Sequence, residues 1–156
     1  MKDVGMVRHI VPLLGPIQKT ATFSTKGCKL SKFMSAMFLV LLGAMDTDSF
    51  VMTVQASADV NLGTPTALAF SYRLTAAAGT DTLGDLTAVA ASGLTLAHAT
   101  FDNKAVIVEV DGAELTDAKP YVGLTFTDPG NADAVIGVVA LLKPRYPQAT
   151  NDGALT

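Results

Sequence analysis

Side chains that perform nucleophilic or acid–base chemistry are scarce in this chain, which has one cysteine and two histidines among 156 residues. Cys28 lies between Lys26 and Lys29, and nearby positive charges lower the pKa of an exposed thiol. A nucleophilic cysteine also needs a partner base, and the sequence places no convincing one beside it. We therefore expect Cys28, His9 and His98 to have no catalytic role. A single cysteine forms no internal disulfide, which is typical of a protein made in a reducing compartment.

Metal binding is not indicated either. Histidine-based zinc sites combine several His, Cys or carboxylate ligands at close spacing, and His9 and His98 are far apart. Two loop segments, Asp46-Thr47-Asp48 and Asp81 to Asp85, make a calcium site conceivable, but the D-x-[DN]-x-[DN]-G pattern is absent. Nucleophile-elbow, phosphate-binding and dinucleotide-binding motifs are absent as well. The sequence predicts no catalytic residue, no metal and no cofactor.

Any site would have to be held in place by strands or helices. The first segment that indicates one is an uncharged run, Phe33–Met45. A membrane-spanning helix needs about 20 apolar residues. A signal peptide would place its apolar run nearer the N-terminus, before a small-x-small cleavage site. We therefore predict that the run is a buried strand and that the protein does not insert in a membrane.

The remaining segments alternate with the period of a strand. In "DSFVMTVQAS", Phe50, Met52 and Val54 point one way, while Thr53 and Gln55 point the other. Similar alternation occurs in "TALAFSYRLT", "KAVIVEV" and "PYVGLTFT", and Gly, Pro, Asn and Asp turns separate the segments. About eight strands at spacings of roughly 10–20 residues predict an all-β fold, a β-sandwich or jelly-roll-like domain over residues 19–146.

Two segments, Phe33–Met45 and Ala134–Leu142, are apolar on both alternating faces. A sandwich strand usually turns one face to the core and the other to water. The second apolar face of these strands therefore needs cover, which the N-terminal segment, a neighbouring subunit or another partner would supply.

Charge divides the chain into two parts. Residues 1–32 carry six basic side chains and one acidic one, which gives +5, while residues 33–156 carry five basic and thirteen acidic ones, which gives −8. Residues 1–18 contain two prolines and two glycines and predict an extended arm that reaches away from the domain and binds a partner. The alternative is that residues 1–32 fold back as an edge strand of the same domain. Residues 147–156 are expected to form a flexible tail. The predicted partner-binding residues of the arm are Arg8, Ile10, Val11, Leu13, Leu14, Ile17 and Lys19.

Composition limits the classes of partner. The formal net charge of −3 does not indicate nucleic-acid binding, and with 6% aromatic residues and no tryptophan the chain offers few rings for stacking sugars or bases. Only 16% of the residues are charged against 49% hydrophobic ones, where a typical domain has about 25% charged. Such a surface favours burial in an oligomer or a larger assembly.

Four pieces of the sequence carry a resemblance to a known family: "FLVLLGAMDTDSFVMTVQAS", "DNKAVIVEVDGAEL", "YVGLTFTD" and "VALLKPRYP". Together with the basic, proline-containing N-terminus, they resemble capsid decoration (cement) proteins of tailed bacteriophages over about Phe33 to Pro147. The resemblance implies a β-sandwich or jelly roll without catalysis, assembled as a homotrimer. It also implies binding to the major capsid protein on the capsid surface of a virion whose parts are made in the host cytoplasm. Two other classes stay open, a host- or carbohydrate-binding β-sandwich and a tail or head–tail joining component. An enzyme comes last.

Overall fold

The computed structural model describes residues 8–47, 49–128, 133–146 and 153–156. These residues form twelve strands, one single-turn helix and one 3₁₀ turn. The strands are β1 His9–Lys19, β2 Phe23–Ser24, β3 Cys28–Lys29, β4 Phe33–Met45, β5 Ser49–Ser57, β6 Thr66–Leu68, β7 Phe70–Leu74, β8 Thr87–Val89, β9 Leu94–Ala97, β10 Ala105–Asp111, β11 Tyr121–Phe126 and β12 Ala134–Pro144; the helix α1 is His98–Phe101 and the 3₁₀ turn is Gly112–Glu114.

The strands form two antiparallel sheets of six strands each. The larger sheet, which contains the longest strands, has the order β1-β12-β4-β10-β7-β8. The smaller sheet has the order β2-β11-β5-β6, with β3 also paired to β11 and β9 also paired to β5. The predicted all-β sandwich is confirmed. The strand count exceeds the expected eight because β2, β3, β6 and β8 are only two or three residues long, too short to show a period.

The prediction that Phe33–Met45 is a strand is confirmed. As β4 it lies in the middle of the larger sheet, between β12 and β10. Ala36, Phe38 and Val40 are fully buried on its inner side. No helix within the described ranges is long and apolar enough to cross a membrane.

The inner faces of both sheets contribute to one hydrophobic core. Phe38 and Val108 come from the larger sheet, and Met52, Val54 and Leu124 come from the smaller one; all five are fully buried. Burial of one such side chain contributes about 1.5–3 kcal/mol. The predicted alternation of β5 is confirmed, since Phe50, Met52, Val54 and Ala56 all point inward and are buried.

One continuous segment of the sequence divides between the sheets. "TALAFSYRLT" alternates without a break, but β6 pairs with β5 in the smaller sheet and β7 pairs with β10 in the larger one. Ala69 separates the two strands, so the chain crosses from one sheet to the other at that residue.

The prediction that the N-terminal arm of residues 1–18 reaches away from its own domain is wrong for the part that the structure describes. His9–Lys19 is β1, an edge strand antiparallel to β12. The register shifts between Pro12 and Leu14, and again between Leu14 and Ile17, where prolines and a glycine disturb the ladder. Backbone pairing stabilises this segment in the sheet, and residues 1–7 of the predicted arm lie outside the described residues.

The predicted flexible tail, residues 147–156, is wrong for its last four residues. Ala154 is buried, and its carbonyl accepts a hydrogen bond of 2.8 Å from the Lys29 N–H. The Tyr121 hydroxyl donates to the carbonyl of Thr156 at 2.8 Å. Residues 147–152 lie outside the described residues.

Candidate interaction surface

The residues whose side chains could perform chemistry lie apart from one another. Cys28 is on β3, His9 on β1 and His98 at the start of α1, and no hydrogen bond between described residues joins any two of them. Cys28 is fully buried, and loss of solvation raises the pKa of its thiol to about 12. A thiol in that state is neutral at pH 7 and is a poor nucleophile.

The loop carboxylates that the sequence singled out are exposed at turns. Asp46 accepts a hydrogen bond from the Thr47 N–H at 2.8 Å, while Asp81 and Asp85 are exposed; Asp48 lies outside the described residues. A turn-forming carboxylate that the sequence reading missed is Asp59, which accepts from the N–H groups of Asn61 and Gly63. No cluster of three or more potential metal ligands occurs in the part of the chain that the structure describes.

The outer face of the larger sheet is the most distinctive surface. Alternation along β4 turns Met37, Leu39 and Leu41 away from the core, because Ala36, Phe38, Val40 and Leu42 are the buried side. Register then aligns apolar residues of the neighbouring strands with each of the three. We name this surface the outer apolar face; its members are Ile10, Pro12, Met37, Leu39, Leu41, Ala105, Ile107, Val139 and Leu141.

These residues are arranged in rows across the sheet. In one row Leu39 pairs with Val139 on one side and Ile107 on the other, and Val139 pairs with Pro12. The next row contains Ile10, Leu141, Met37 and the exposed Glu109. Ile10 is 49% exposed and Leu41 is 41% exposed. The described residues therefore leave a contiguous apolar surface open to solvent.

Charged residues flank this surface at one end. Ser35 on β4 pairs with Lys143 on β12 and with Asp111 on β10, so a cation and an anion lie on opposite sides of the central strand. The Ser35 hydroxyl donates to Glu109 Oε1 at 3.1 Å. Desolvation by burial, followed by the charge of Asp111, raises the pKa of Glu114 in the adjacent 3₁₀ turn.

A groove continues the surface toward β8. Its volume is about 520 Å³, and Arg73, Leu86, Ile107, Glu109 and Glu114 are among its lining residues. The Arg73 guanidinium donates to the Gly84 carbonyl at 2.8 Å, which fixes the cation beside the groove.

The residues predicted to bind a partner are distributed over different environments on β1. Val11 is buried in the core, and Leu13 and Leu14 pack against the core. Ile10 and Ile17 are each 49% exposed. Arg8 is exposed, and Lys19 Nζ lies 4.8 Å from the centroid of the Phe23 ring. Val11, Leu13 and Leu14 thus serve the fold, whereas Arg8, Ile10 and Ile17 stay exposed and Lys19 is half-buried.

The sequence reading missed the outer apolar face as a single surface. Its signal was present in the two runs that are apolar on both faces, β4 and β12. The structure shows that these strands are neighbours in one sheet, which merges two separate linear patterns into one surface. Ile107 and Ala105 join it through the register of β10 with β4.

Comparison with known proteins adds little. No protein-family model matches the chain, and no curated protein matches it. A solved structure with some likeness is the crystal structure of SPBc2 prophage-derived protein YomS, at 16% sequence identity and a TM-score of 0.44. The match covers 86% of this chain and 95% of that one. A likeness this low carries no argument about the function of this chain.

Proposed function

We propose that the protein is a structural component of a tailed-phage virion, a decoration protein that binds the outer surface of the capsid and stabilises it without catalysis. The observation that carries the proposal is the exposed edge of the larger sheet. There Arg8, Ile10, Ile17 and Lys19 combine positive charge with apolar side chains on a predominantly acidic chain. The sequence resemblance to decoration proteins supports the same assignment, and it implies a homotrimer as the assembled form.

Charge explains why this edge suits a lattice partner. The body of the chain, residues 33–156, carries −8 and would repel an acidic capsid. A basic N-terminal segment of opposite sign steers approach to such a surface. Exposed Ile17 then buries apolar area on contact, which supplies affinity that salt does not screen.

The test is occupancy on capsids that lack the protein, measured by electron microscopy after mixing. Arg8→Glu combined with Ile17→Ser should reduce occupancy strongly at physiological salt, because both the attraction and the buried area are lost. Leu86→Ser is the matched control, because Leu86 is also an exposed apolar residue, at 60%. It precedes β8, which is the edge of the larger sheet opposite β1. Leu86→Ser should leave occupancy unchanged.

The outcome also separates the alternatives. Density at the tail or at the head–tail junction, instead of on the capsid shell, would favour a joining component. Saturable binding to host glycans, with no capsid binding, would favour a host-binding domain. Equal occupancy of the double variant and the wild-type protein would contradict the proposed contact at β1.

A further inference from the structure

The outer apolar face lies at the upper end of the apolar patches that monomeric proteins expose, and patches of that size are often functional. With its charged border it covers four strands at about 4.8 Å each and four rows at about 6.8 Å each. This is a footprint on the order of 500 Å², before side-chain relief is counted. Stable protein pairs bury about 800 Å² per partner. The face therefore provides more than half of the area that one partner buries in a stable pair.

We propose that a second copy of this chain covers the outer apolar face, packed sheet against sheet about a two-fold axis that runs along β4. The inference concerns the free protein and does not depend on capsid binding. Face-to-face sheets align their strands within about 30°, so residues of one row meet residues of the same row. A two-fold axis along β4 exchanges the β12 side of one copy with the β10 side of the other.

The charges at the border select this arrangement. Lys143 and Asp111 lie in one row on opposite sides of Ser35, about 10 Å apart at two strand spacings. The two-fold rotation places Lys143 of each copy opposite Asp111 of the other, so two ion pairs form. Glu109 follows Asp111 on the same side of β10, and Lys143 of the second copy therefore meets two carboxylates. Lys143 is exposed near the end of β12, where a second copy can reach it.

The apolar rows agree with the same axis. Leu39 meets Leu39 of the second copy, and Val139 meets Ile107. A two-fold axis perpendicular to the strands and through the row of Leu39 would instead place Lys143 against apolar Val135 of the second copy and leave Asp111 and Glu109 away from it.

The experiment measures the mass of the purified protein by sedimentation equilibrium at micromolar concentration. Closed assemblies that contain a two-fold axis have an even number of chains. A mass of two chains supports the inference, as does a mass of six, which combines the axis with the trimer that the resemblance implies. A mass of one chain or of three contradicts it.

Charge reversal tests the proposed pairs directly. Lys143→Glu should weaken self-association about tenfold or more, because it places like charges together at two symmetric positions. Combining Lys143→Glu with Asp111→Lys should restore most of the affinity. Since Asp111 Oδ1 accepts from the Ala113 N–H at 2.9 Å, Lys143→Glu with Glu109→Lys provides a second rescue variant that keeps this bond. Failure of both rescues in folded protein, or an unchanged affinity of the single variant, would overturn the arrangement.

Discussion

The two sheets of this sandwich share one core but differ in the surface that they turn outward. The outer side of the larger sheet carries Met37, Leu39 and Ile107 in adjoining rows. The outer side of the smaller sheet carries Thr53, Gln55 and Thr125 at equivalent positions of its central strands. Only the smaller sheet follows the usual division of an antiparallel sheet into an apolar inner and a polar outer face.

On the polar outer face of the smaller sheet, side chains hydrogen-bond to one another. Gln55 Nε2 donates to Thr53 Oγ1 at 2.9 Å, and the hydroxyls of Ser24 and Thr125 lie 2.8 Å apart. At one end of this sheet the chain also covers itself, because a Cβ atom on Gly123 would lie 2.9 Å from Leu62. On the larger sheet Pro16 covers the face only at Gly137, and the rows of Met37 and Leu39 stay partly exposed. This difference fits the proposed cover by another chain.

The substitution with the largest expected effect removes the apolar character of the outer face of the larger sheet. Leu39→Asp places a carboxylate at the centre of the outer apolar face, where pairing would bury it without a partner, so self-association should fall by more than about 100-fold. Thr95→Asp is the matched control, because Thr95 is exposed on the outer side of the smaller sheet. Sedimentation equilibrium of both variants provides the measurement. Equal affinities would show that the two outer faces are equivalent after all.

Two glycines, one on the outer side of each sheet, allow the two faces to be compared by the free energy of unfolding. Gly123→Ala should destabilise the fold by about 1–3 kcal/mol through overpacking, since the new Cβ would meet Leu62, the Lys26 carbonyl and Thr25 Oγ1 at 2.9–3.0 Å. Gly137→Ala on the larger sheet should cost less, because its nearest contact is Pro16 at 3.3 Å. Chemical denaturation of the two variants gives the comparison. A greater loss for Gly137→Ala would contradict the packing difference between the faces.

Sequence reasoning predicted the elements better than their assembly. The Phe33–Met45 strand, the inward residues of β5 and the all-β class follow from local length and alternation, and each is confirmed. The position of β1 was wrong because its prolines and basic charge resemble those of a free arm, and only pairing with β12, more than a hundred residues away, reveals an edge strand. The same limit applies to the outer apolar face, whose rows exist only through the register of four strands.

The buried thiol of Cys28 predicts a pH dependence of stability. Its pKa is raised to about 12 in the folded protein, whereas an exposed thiol in the unfolded chain ionises near pH ~8.5. The contribution is therefore fully present below about pH 8.5 and is lost as the pH rises toward 12, because the unfolded chain then releases a proton that the folded one retains. Chemical denaturation between pH 7 and 10.5 should show a decline that Cys28→Ala lacks. Identical slopes for the two proteins would contradict the burial of a neutral thiol.

The smallest expected effect concerns His9, which lies on β1 in the larger sheet. Among the described residues, its Nδ1 is the buried side-chain nitrogen or oxygen without a hydrogen-bond partner, and its ring stacks on Phe33 with centroids 5.6 Å apart. An unpaired buried polar atom costs free energy, whereas the stack contributes packing. His9→Phe keeps the ring and removes the unpaired nitrogen, so the free energy of unfolding should stay equal or rise by up to about 1 kcal/mol. His9→Ala removes the ring as well and should destabilise the fold, which makes it the matched control.

Thermal unfolding and capsid occupancy together test the interpretation. If His9→Phe lost occupancy while its melting temperature stayed unchanged, the nitrogen would bind a partner, and its structural role as a packed ring of the β1 edge would be wrong.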